Sequence, residues 1–287
     1  MKLLVTGVKG QLGFDVVEEA EKRGIEAEGF DVDTMDITNE KQVNDIILNG
    51  DYDAVVHCAA WTAVDRAEEP ELLETVRKVN ATGTKYIVEA CRKKDIPIMY
   101  FSTDYVFDGQ GTRPWMEDDP KNPLNVYGLT KGEGEDFVLS YPKHFIIRIS
   151  WVFGRNGHNF IKTMLKLGKS GRDLTVVDDQ VGSPTYTYDL ARLVVDMIQT
   201  DRYGIYHATN QGECSWYEFA REIFRQAGMD VNVAPVSSDQ YPARAKRPAN
   251  SRMNQTRLDE NGFERLPSWQ DALSRYLKLL EEQDHAG

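Results

Sequence analysis

The first 150 residues alternate between short apolar runs and amphipathic helical stretches. The centres of the runs, such as Val55-Val56 and Phe145-Ile146-Ile147, are continuous rather than alternating, which is typical of parallel strands covered by helices on both faces. We predict strands at 2–6, 25–30, 53–58, 96–102 and 144–150, and helices at 12–22, 40–48, 72–93 and 128–139. This order indicates repeated βαβ units and therefore an α/β fold with a doubly wound parallel sheet.

Beyond residue 151 the pattern loosens. Predicted helices at 159–169, 187–199, 215–227 and 269–282 are separated by long irregular segments. The third of these begins with a capping box, Ser215 and Glu218, and ends before Gly228. We expect residues 1–150 to form a dinucleotide-binding domain that is completed by parts of 172–208. Residues 151–287 are expected to form mainly a smaller, substrate-binding domain.

Charge and cysteine content narrow the class of protein. The 287 residues carry 34 basic and 46 acidic side chains, a net charge of −12, which excludes generic attraction to nucleic acid or to an anionic membrane. No apolar run approaches the roughly 20 residues of a membrane span, and glycines follow the first strand too early for a signal peptide. We therefore predict a cytoplasmic protein. Cys58, Cys91 and Cys214 are widely separated, so neither disulfides nor a zinc site is indicated and buried, inert thiols are expected.

Three glycines with the spacing GxxGxxG lie directly after the first predicted strand and open the first predicted helix. They are Gly7, Gly10 and Gly13. Glycine permits a tight turn and a close approach of the backbone to a pyrophosphate, and the N–H groups at a helix start favour an anion. The segment predicts a dinucleotide site, the alternative being a glycine-rich turn without a ligand.

An acidic residue follows the second predicted strand, about 20 residues beyond the glycines, where the hydroxyl groups of a ribose are held in such folds. Asp31 is the best candidate, and its carboxylate favours NADH because it repels the 2′-phosphate of NADPH. Lys9 is the one nearby cation that could reduce this repulsion. A solvated acidic loop is the alternative interpretation.

A hydroxyl, a phenol and an ammonium group are predicted to meet near this site. Thr103 ends the strand 96–102 at the carboxyl edge of the sheet, and Tyr127 and Lys131 are four residues apart on one predicted helix. The ammonium group is expected to lower the pKa of the phenol, so that Tyr127 donates a proton to a carbonyl oxygen as hydride reaches its carbon. The alternative for Tyr127 is a packing tyrosine.

The segment 243–252 carries four cations and no acid in a chain of negative net charge. Because arginine grips phosphate oxygens with two hydrogen bonds, the segment predicts a clamp for a diphosphate, with Arg247 as a candidate. The alternative is a solvated basic loop that is paired with acidic neighbours. Trp151 follows a predicted strand end and is expected either to stack on a ligand ring or to pack under a loop.

Several longer motifs contain these residues. They are TGVKGQLG from Thr6, HCAAWTAVDRAE from His57, STDYVFDG from Ser102, PLNVYGLTK from Pro123, SWVFG from Ser150, DQVGSPT from Asp179 and KRPANSR from Lys246. On them the chain resembles the extended short-chain dehydrogenase/reductases over nearly its whole length, and within that superfamily the dTDP-4-dehydrorhamnose reductases.

The resemblance implies a Rossmann-type fold and a reductase that acts on a dTDP-sugar. Its reaction would be reduction of the C4 keto group of dTDP-4-dehydro-β-L-rhamnose by NADH or NADPH, which yields dTDP-L-rhamnose. Tyr127 would be the acid, Lys131 would bind the nicotinamide ribose and tune Tyr127, and Thr103 would orient the substrate oxygen. Some members need magnesium at a dimer contact, so magnesium and a homodimer are further expectations, although the sequence locates no ligands for the ion.

The resemblance also distributes the remaining site residues. Those expected to contact the cofactor, together with Tyr127 and Lys131, are Gly7, Gly10, Gln11, Leu12, Gly13, Asp31, Asp36, Ile37, Ala59 and Ala60. Those expected to face the nucleotide sugar, together with Thr103, are Thr62, Val64, Phe107, Trp151 and Arg247.

Two other functions stay open at this point. One is a different nucleotide-sugar enzyme on the same scaffold: another 4-keto reductase, a 4-epimerase or a 4,6-dehydratase. Known dehydratases typically carry Asp-Glu directly after the threonine, whereas here Asp104 is followed by Tyr105, which disfavours elimination. The other is a non-catalytic regulatory subunit similar to the β subunit of methionine adenosyltransferase, and the intact Thr103, Tyr127 and Lys131 disfavour it.

Overall fold

A six-stranded parallel sheet forms the centre of the computed structural model, which describes residues 1–241 and 243–286. The strands are, in chain order, β1 (Lys2–Thr6), β2 (Glu26–Phe30), β3 (Ala54–His57), β4 (Ile98–Thr103), β5 (His144–Ile149), β6 (Val152–Phe153), β7 (Leu174–Val177), β8 (Val181–Gly182), β9 (Thr185–Tyr186), β10 (Gly204–His207), β11 (Cys214–Ser215), β12 (Val233–Val236) and β13 (Asn250–Ser251). The central sheet has the order β2-β1-β3-β4-β5-β10, with all neighbours parallel.

This order determines where a ligand can bind. The chain winds outward from β1 to β2 and then returns past β1 to β3, so the direction of winding reverses between β1 and β3. In open α/β sheets a crevice forms at such a reversal, outside the carboxyl ends of the strands. The predicted α/β class with a doubly wound parallel sheet is therefore confirmed, and β10 brings the chain back to the sheet beside β5.

Helices cover both faces of the sheet. They are α1 (Gln11–Lys22), α2 (Glu40–Asn49), α3 (Leu73–Arg77), α4 (Thr84–Lys94), α5 (Val126–Leu139), α6 (Phe160–Gly168), α7 (Thr187–Ile198), α8 (Trp216–Gln226), α9 (Thr256–Glu260) and α10 (Trp269–Ala286). Leu3 and Val5 pack under α1 and α7, whereas Leu4 packs under α2 and α4 on the opposite face. Both faces are apolar because both are buried, which explains the continuous runs in the sequence.

The predicted helix at 72–93 differs from the structure in its middle. Lys78–Gly83 form a π-helical turn between α3 and α4. In this turn the Asn80 side chain accepts the N–H of Trp61 at 2.8 Å and donates to Thr130 Oγ1 at 3.1 Å. The extra residue of a π-helical turn re-aims side chains at functional sites, and here it joins the loop after β3 to α5.

A third apolar core lies in the second half of the chain, where α6, α8 and α10 pack together. The capping box of α8 is confirmed by hydrogen bonds between Ser215 and Glu218 in both directions, and Gly228 follows with a φ of 64°. The short strands β6, β8, β9, β11 and β13 have two residues each, too few to give a sequence pattern. Within the described part of the chain, no helix combines the length and apolarity that crossing a bilayer requires.

Candidate active site

A cavity of about 850 Å³ opens at the carboxyl ends of β1, β3, β4 and β5. It contains most of the residues that were expected to form the site. These are Gly7, Gly10, Gln11, Leu12, Gly13, Asp31, Asp36, Ile37, Ala59, Ala60, Thr62, Val64, Thr103, Tyr127, Lys131 and Trp151. The structure thus brings the glycine turn, the hydroxyl, the phenol and the ammonium group to one cavity at the reversal of the sheet.

The glycine turn forms a cradle that side chains would fill. Gly7 has a φ of 69°, and a Cβ atom there would lie 2.8 Å from the backbone N and Cα of Ala59. A Cβ atom on Gly13 would collide with the carbonyl group of Gly7. Gly10 caps α1 without a side-chain hydrogen bond, and the first turn of α1 has no acidic residue. Its N–H groups are therefore available to a pyrophosphate, and the residues fit a dinucleotide.

Asp31 lies at the rim of this cradle, directly after β2. Its Oδ2 accepts the N–H of Lys9 at 2.9 Å and its Oδ1 accepts the N–H of Val32 at 2.9 Å. These bonds fix the carboxylate beside the glycine turn, in a position suited to ribose hydroxyl groups. The exposed Lys9 ammonium group is paired with Asp33 at 2.7 Å. Lys9 also lines the cavity, so a cation lies beside Asp31 at the rim of the cradle.

A buried chain of hydrogen bonds fixes the loop after β3. The N–H of Ala59 donates to Thr6 Oγ1 at 3.0 Å, Thr6 Oγ1 lies 2.8 Å from His57 Nδ1, and His57 Nε2 lies 3.1 Å from Thr84 Oγ1. Thr84 donates its own proton to the Asn80 carbonyl at 2.8 Å, so His57 donates from Nε2 and accepts at Nδ1. Burial, aided by the Lys131 charge, lowers the pKa of His57 to about 3. His57 is therefore a neutral structural residue.

Local structure sets the positions of Thr103 and Tyr127. Thr103 is the last residue of β4, and its Oγ1 donates to Asp104 Oδ1 at 2.9 Å and accepts the N–H of Tyr105 at 3.2 Å. Asn125 caps α5 by accepting the N–H of Gly128 at 2.8 Å, so Tyr127 lies in the first turn of that helix. The Thr103 hydroxyl group lies close enough to the Tyr127 phenol to act on its pKa, and both line the cavity.

Burial governs the protonation of the phenol and the ammonium group. Burial raises the pKa of Tyr127 well above its ordinary value, the Asp104 charge raises it further, and the nearby Thr103 hydroxyl group opposes both. Burial lowers the pKa of Lys131 to about 7, against the charges of Glu135 and Cys58. The Lys131 ammonium group lies 4.0 Å from the centre of the Tyr100 ring. We expected Lys131 to lower the pKa of the phenol. Burial instead raises that pKa, and the phenol stays protonated at neutral pH.

Asp104 is a functional candidate that the sequence reasoning missed. It lines the cavity, is 2% exposed, and its Oδ2 has no hydrogen-bond partner among the described residues. Burial raises its pKa to about 6, although the nearby Ser251 side chain and the hydrogen bond from Thr103 oppose this rise. The sequence signal that could have found Asp104 is its position directly after Thr103, at the carboxyl end of β4. Trp216 also lines the cavity. It begins a helix far along the chain, so no local pattern pointed to the site.

Two residues expected to face the sugar lie elsewhere. Phe107 is fully buried, and its ring stacks on Trp115 with centroids 4.6 Å apart. Arg247 pairs with Asp65, with Nη2 2.7 Å from Oδ2. Its segment behaves as the basic loop with acidic partners that was the alternative interpretation, since Arg244 pairs with Glu69 and Arg252 with Glu213. Neither Phe107 nor Arg247 is among the residues that line the cavity.

The cysteines match the expectation of buried thiols except at Cys58. Cys58, Cys91 and Cys214 are all free thiols, but only the last two are buried, because Cys58 lines the cavity. Removal from water, partial at Cys58 and nearly complete at the other two, raises the pKa of all three thiols. In the described ranges no three His, Cys, Asp or Glu side chains are grouped so that they could hold a metal ion. Magnesium therefore gains no support within one chain.

Comparison with known proteins assigns the family. The family described as RmlD substrate binding domain matches residues 1–282. A dTDP-4-dehydrorhamnose reductase from Aggregatibacter actinomycetemcomitans is 39% identical over 98% of this chain and 99% of that protein. The chain belongs to the dTDP-4-dehydrorhamnose reductase family.

Solved structures of the family share the whole fold. The chain is similar to a dTDP-4-dehydrorhamnose reductase from Clostridium acetobutylicum, with a TM-score of 0.95, 42% identity, and 98% of this chain and 100% of that chain covered. It is also similar to the Bacillus anthracis dTDP-4-dehydrorhamnose reductase in complex with NADP, with a TM-score of 0.92, 41% identity, and 96% and 98% covered. The expected resemblance is confirmed over nearly the full length.

Proposed function

We propose that this protein reduces the C4 keto group of dTDP-4-dehydro-β-L-rhamnose to a hydroxyl group with NADH or NADPH, and so forms dTDP-L-rhamnose. One observation supports this most directly. Thr103, Tyr127 and Lys131 lie in the same cavity as the glycine turn, so a proton donor stands where a bound dinucleotide would present its nicotinamide. The family membership and the names of the relatives point to the same substrate.

The chain's own groups have distinct tasks in this reaction. The bound cofactor supplies a hydride. Tyr127 donates the phenol proton to the keto oxygen, and its raised pKa keeps that proton in place at neutral pH. Thr103 orients the same oxygen through its hydroxyl group. Lys131 holds the nicotinamide ribose, and its position beneath Tyr100 keeps the ammonium group inside the cavity.

The cofactor choice follows from the rim of the cradle. The fixed Asp31 carboxylate accepts ribose hydroxyl groups and repels a 2′-phosphate, which favours NADH. Lys9 lies within the same rim and can turn from Asp33 toward a phosphate, which allows NADPH. The structure of a relative in complex with NADP supports the use of NADPH. We infer that both cofactors are used, that the protein acts in the cytoplasm, and that it forms a homodimer.

A direct assay tests the proposal. Purified protein is mixed with enzymatically generated dTDP-4-dehydro-L-rhamnose and with NADH or NADPH, and the loss of reduced-nicotinamide absorbance is followed. We expect sugar-dependent oxidation that Tyr127→Phe reduces by roughly 10²- to 10⁴-fold, the usual contribution of a general acid. Cofactor affinity should stay nearly constant because only the proton donor is lost.

Tyr141→Phe is the matched control. Tyr141 lies two residues after the end of α5, and its hydroxyl group donates to the Ile96 carbonyl away from the cavity. Oxidation that is absent with both cofactors, despite measurable cofactor binding, would overturn the substrate assignment. It would favour a different keto-sugar or a regulatory subunit. Undiminished turnover by Tyr127→Phe would remove Tyr127 from its role as the acid.

A further inference from the structure

Two tryptophan rings are stacked at the wall of the cavity. Trp151, just after β5, and Trp216, the first residue of α8, have ring centroids 3.7 Å apart and ring planes 15° apart. Both side chains line the cavity and both are partly exposed. They lie in the second half of the chain, whereas the glycine turn and Ala59 form the dinucleotide end of the cavity.

The backbone of Trp151 is held in an uncommon conformation. Its φ is 49°, in the left-handed region, and Asp95 is the other non-glycine residue with a positive φ in 1–241 and 243–286. A bulky residue in this region is strained, and it persists only where its surroundings determine the conformation. The Trp151 carbonyl accepts the N–H of Thr185 at 3.2 Å. A Cβ atom on Gly182 would lie 3.2 Å from the Trp151 ring, so the ring occupies the space that a side chain there would need.

Trp216 is fixed independently of Trp151. Its position is the first turn of α8, which Ser215 and Glu218 cap, and the Ser215 hydroxyl group also bonds Asp178 at 2.5 Å. The Trp216 ring packs on Phe160, with centroids 4.6 Å apart. The helix start and the third core therefore set the Trp216 ring, and the Trp151 ring lies on it.

We propose that Trp216 is a positioning residue, whose stacked ring holds Trp151 in the orientation that forms an apolar wall for the sugar ring of the substrate. This inference rests on the proposed function. A 6-deoxy sugar presents C–H groups and a methyl group on its faces, and the apolar body of an indole matches such a surface. Loss of the stack leaves Trp151 free to leave its strained conformation, so the wall is lost without any change in the proton donor.

The effect separates binding from chemistry. Trp216→Leu removes the stack but keeps an apolar side chain, and the Michaelis constant for the keto-sugar should rise roughly two- to tenfold, the range measured for aromatic pairs. The turnover number should change less, because Thr103, Tyr127 and Lys131 are untouched. Trp216→Phe retains a ring that can stack, and it should restore most of the affinity. Tyr217→Leu, the next position on α8, is the control, since its ring lies against Arg221.

Circular dichroism gives a readout that is independent of turnover. Two stacked indoles produce an exciton couplet in the far ultraviolet, which Trp216→Leu and Trp151→Leu should both abolish and Tyr217→Leu should retain. The affinity for NADPH should be equal in all variants. The inference is wrong if the couplet disappears in Trp216→Leu while the Michaelis constant stays at its original value, or if NADPH affinity falls instead.

Failure of the proposed function is distinguishable from failure of this inference. If the proposed function fails, the unmodified protein oxidises neither cofactor in the presence of the sugar. If only the inference fails, the unmodified protein is active and the Trp216→Leu variant matches it in Michaelis constant. Should Trp216→Leu not fold, Trp216→Met, which also removes the stacked ring, takes its place in the same comparison with Trp216→Phe.

Discussion

The ion pair between Arg148 and Glu135 gives the sharpest stability prediction. Arg148 lies in β5 and Glu135 in α5, one turn after Lys131. Their side chains are 3% and 0% exposed, and two parallel hydrogen bonds of 2.9 Å join them. A third bond of 2.9 Å runs from Arg148 to the carbonyl of Glu117. Arg148→Met keeps much of the apolar volume and leaves the Glu135 carboxylate buried, with Lys121 at 3.7 Å as its remaining ion-pair partner.

Removing one partner of a buried ion pair destabilises a fold by about 3–5 kcal/mol, because the other charge stays buried without its partner. A chain of this size shifts its unfolding midpoint by roughly 2 °C per kcal/mol, so the midpoint of Arg148→Met should fall by about 6–10 °C. The double variant Arg148→Met/Glu135→Leu removes both charges and should recover most of the loss.

The pH dependence of the loss has a definite sign. Burial alone raises the pKa of Glu135, but the hydrogen bonds and charge of Arg148 outweigh it and hold that pKa below its ordinary value. The unmodified protein therefore has this stabilisation above the ordinary carboxyl pKa of about 4.3 and loses it as pH falls below that value. Without Arg148, burial dominates, Glu135 takes up a proton more readily, and the deficit of the variant should shrink as pH falls from 7 toward 5.

Thermal unfolding followed by circular dichroism at pH 7 and pH 5 measures these differences. Arg257→Met is the control. Arg257 pairs with Asp118 at 2.8 Å, and the Asp118 side chain is largely exposed. Such exposed ion pairs contribute about 1 kcal/mol or less to stability. An Arg148→Met midpoint equal to that of the control would refute the reasoning. So would a double variant that is no more stable than Arg148→Met.

Three further outcomes follow from the site. Asp31→Ala should raise the ratio of kcat/KM for NADPH to that for NADH roughly tenfold, since one charge beside the 2′-phosphate is removed; an unchanged ratio in steady-state kinetics would remove Asp31 from cofactor choice. Arg247→Ala and Asp65→Ala should leave the sugar KM nearly unchanged, because the two side chains pair with each other and do not line the cavity; a KM raised by Arg247→Ala but not by Asp65→Ala would indicate direct contact with the diphosphate. Asp104 has a pKa raised to about 6 by burial, so its contribution to stability is present below the ordinary carboxyl pKa and is lost as pH rises through 6. Asp104→Asn should flatten this part of the midpoint-against-pH curve, and a curve of unchanged slope would contradict the assignment.

The fold could be predicted closely because both faces of the sheet are buried. The strand predicted at 2–6 coincides with β1, and that at 144–150 exceeds β5 by one residue. The helix starts carried explicit signals, of which the capping box at Ser215 is the strongest. The π-helical turn at Lys78–Gly83 could not be predicted, because it depends on the bonds of Asn80 to Trp61 and Thr130, which come from other elements.

Within the site, the predictable residues are those whose place is set by local backbone. Thr103 ends a strand and Tyr127 opens a helix, so the topology alone brings both to the carboxyl edge of the sheet. The protonation of Tyr127 was not predictable in this way, because it depends on how deeply α5 is buried. A phenol that keeps its proton suits the direction of the proposed reaction, in which the enzyme gives a proton to the substrate.

Arg247 and Trp216 show why the rest of the site could not be read from the chain. In a chain of net charge −12, a basic segment meets acidic partners wherever it folds, and the partner of Arg247 is Asp65, 182 residues away. A cluster of cations therefore predicts an anion without saying whether that anion is a ligand or a carboxylate of the protein. Trp216 has the same ambiguity, since an aromatic residue at the start of a helix is equally suited to a core and to a cavity wall. Its stack on Trp151 joins segments 65 residues apart, and only the folded chain, in which the start of α8 meets the loop after β5, decides between the two.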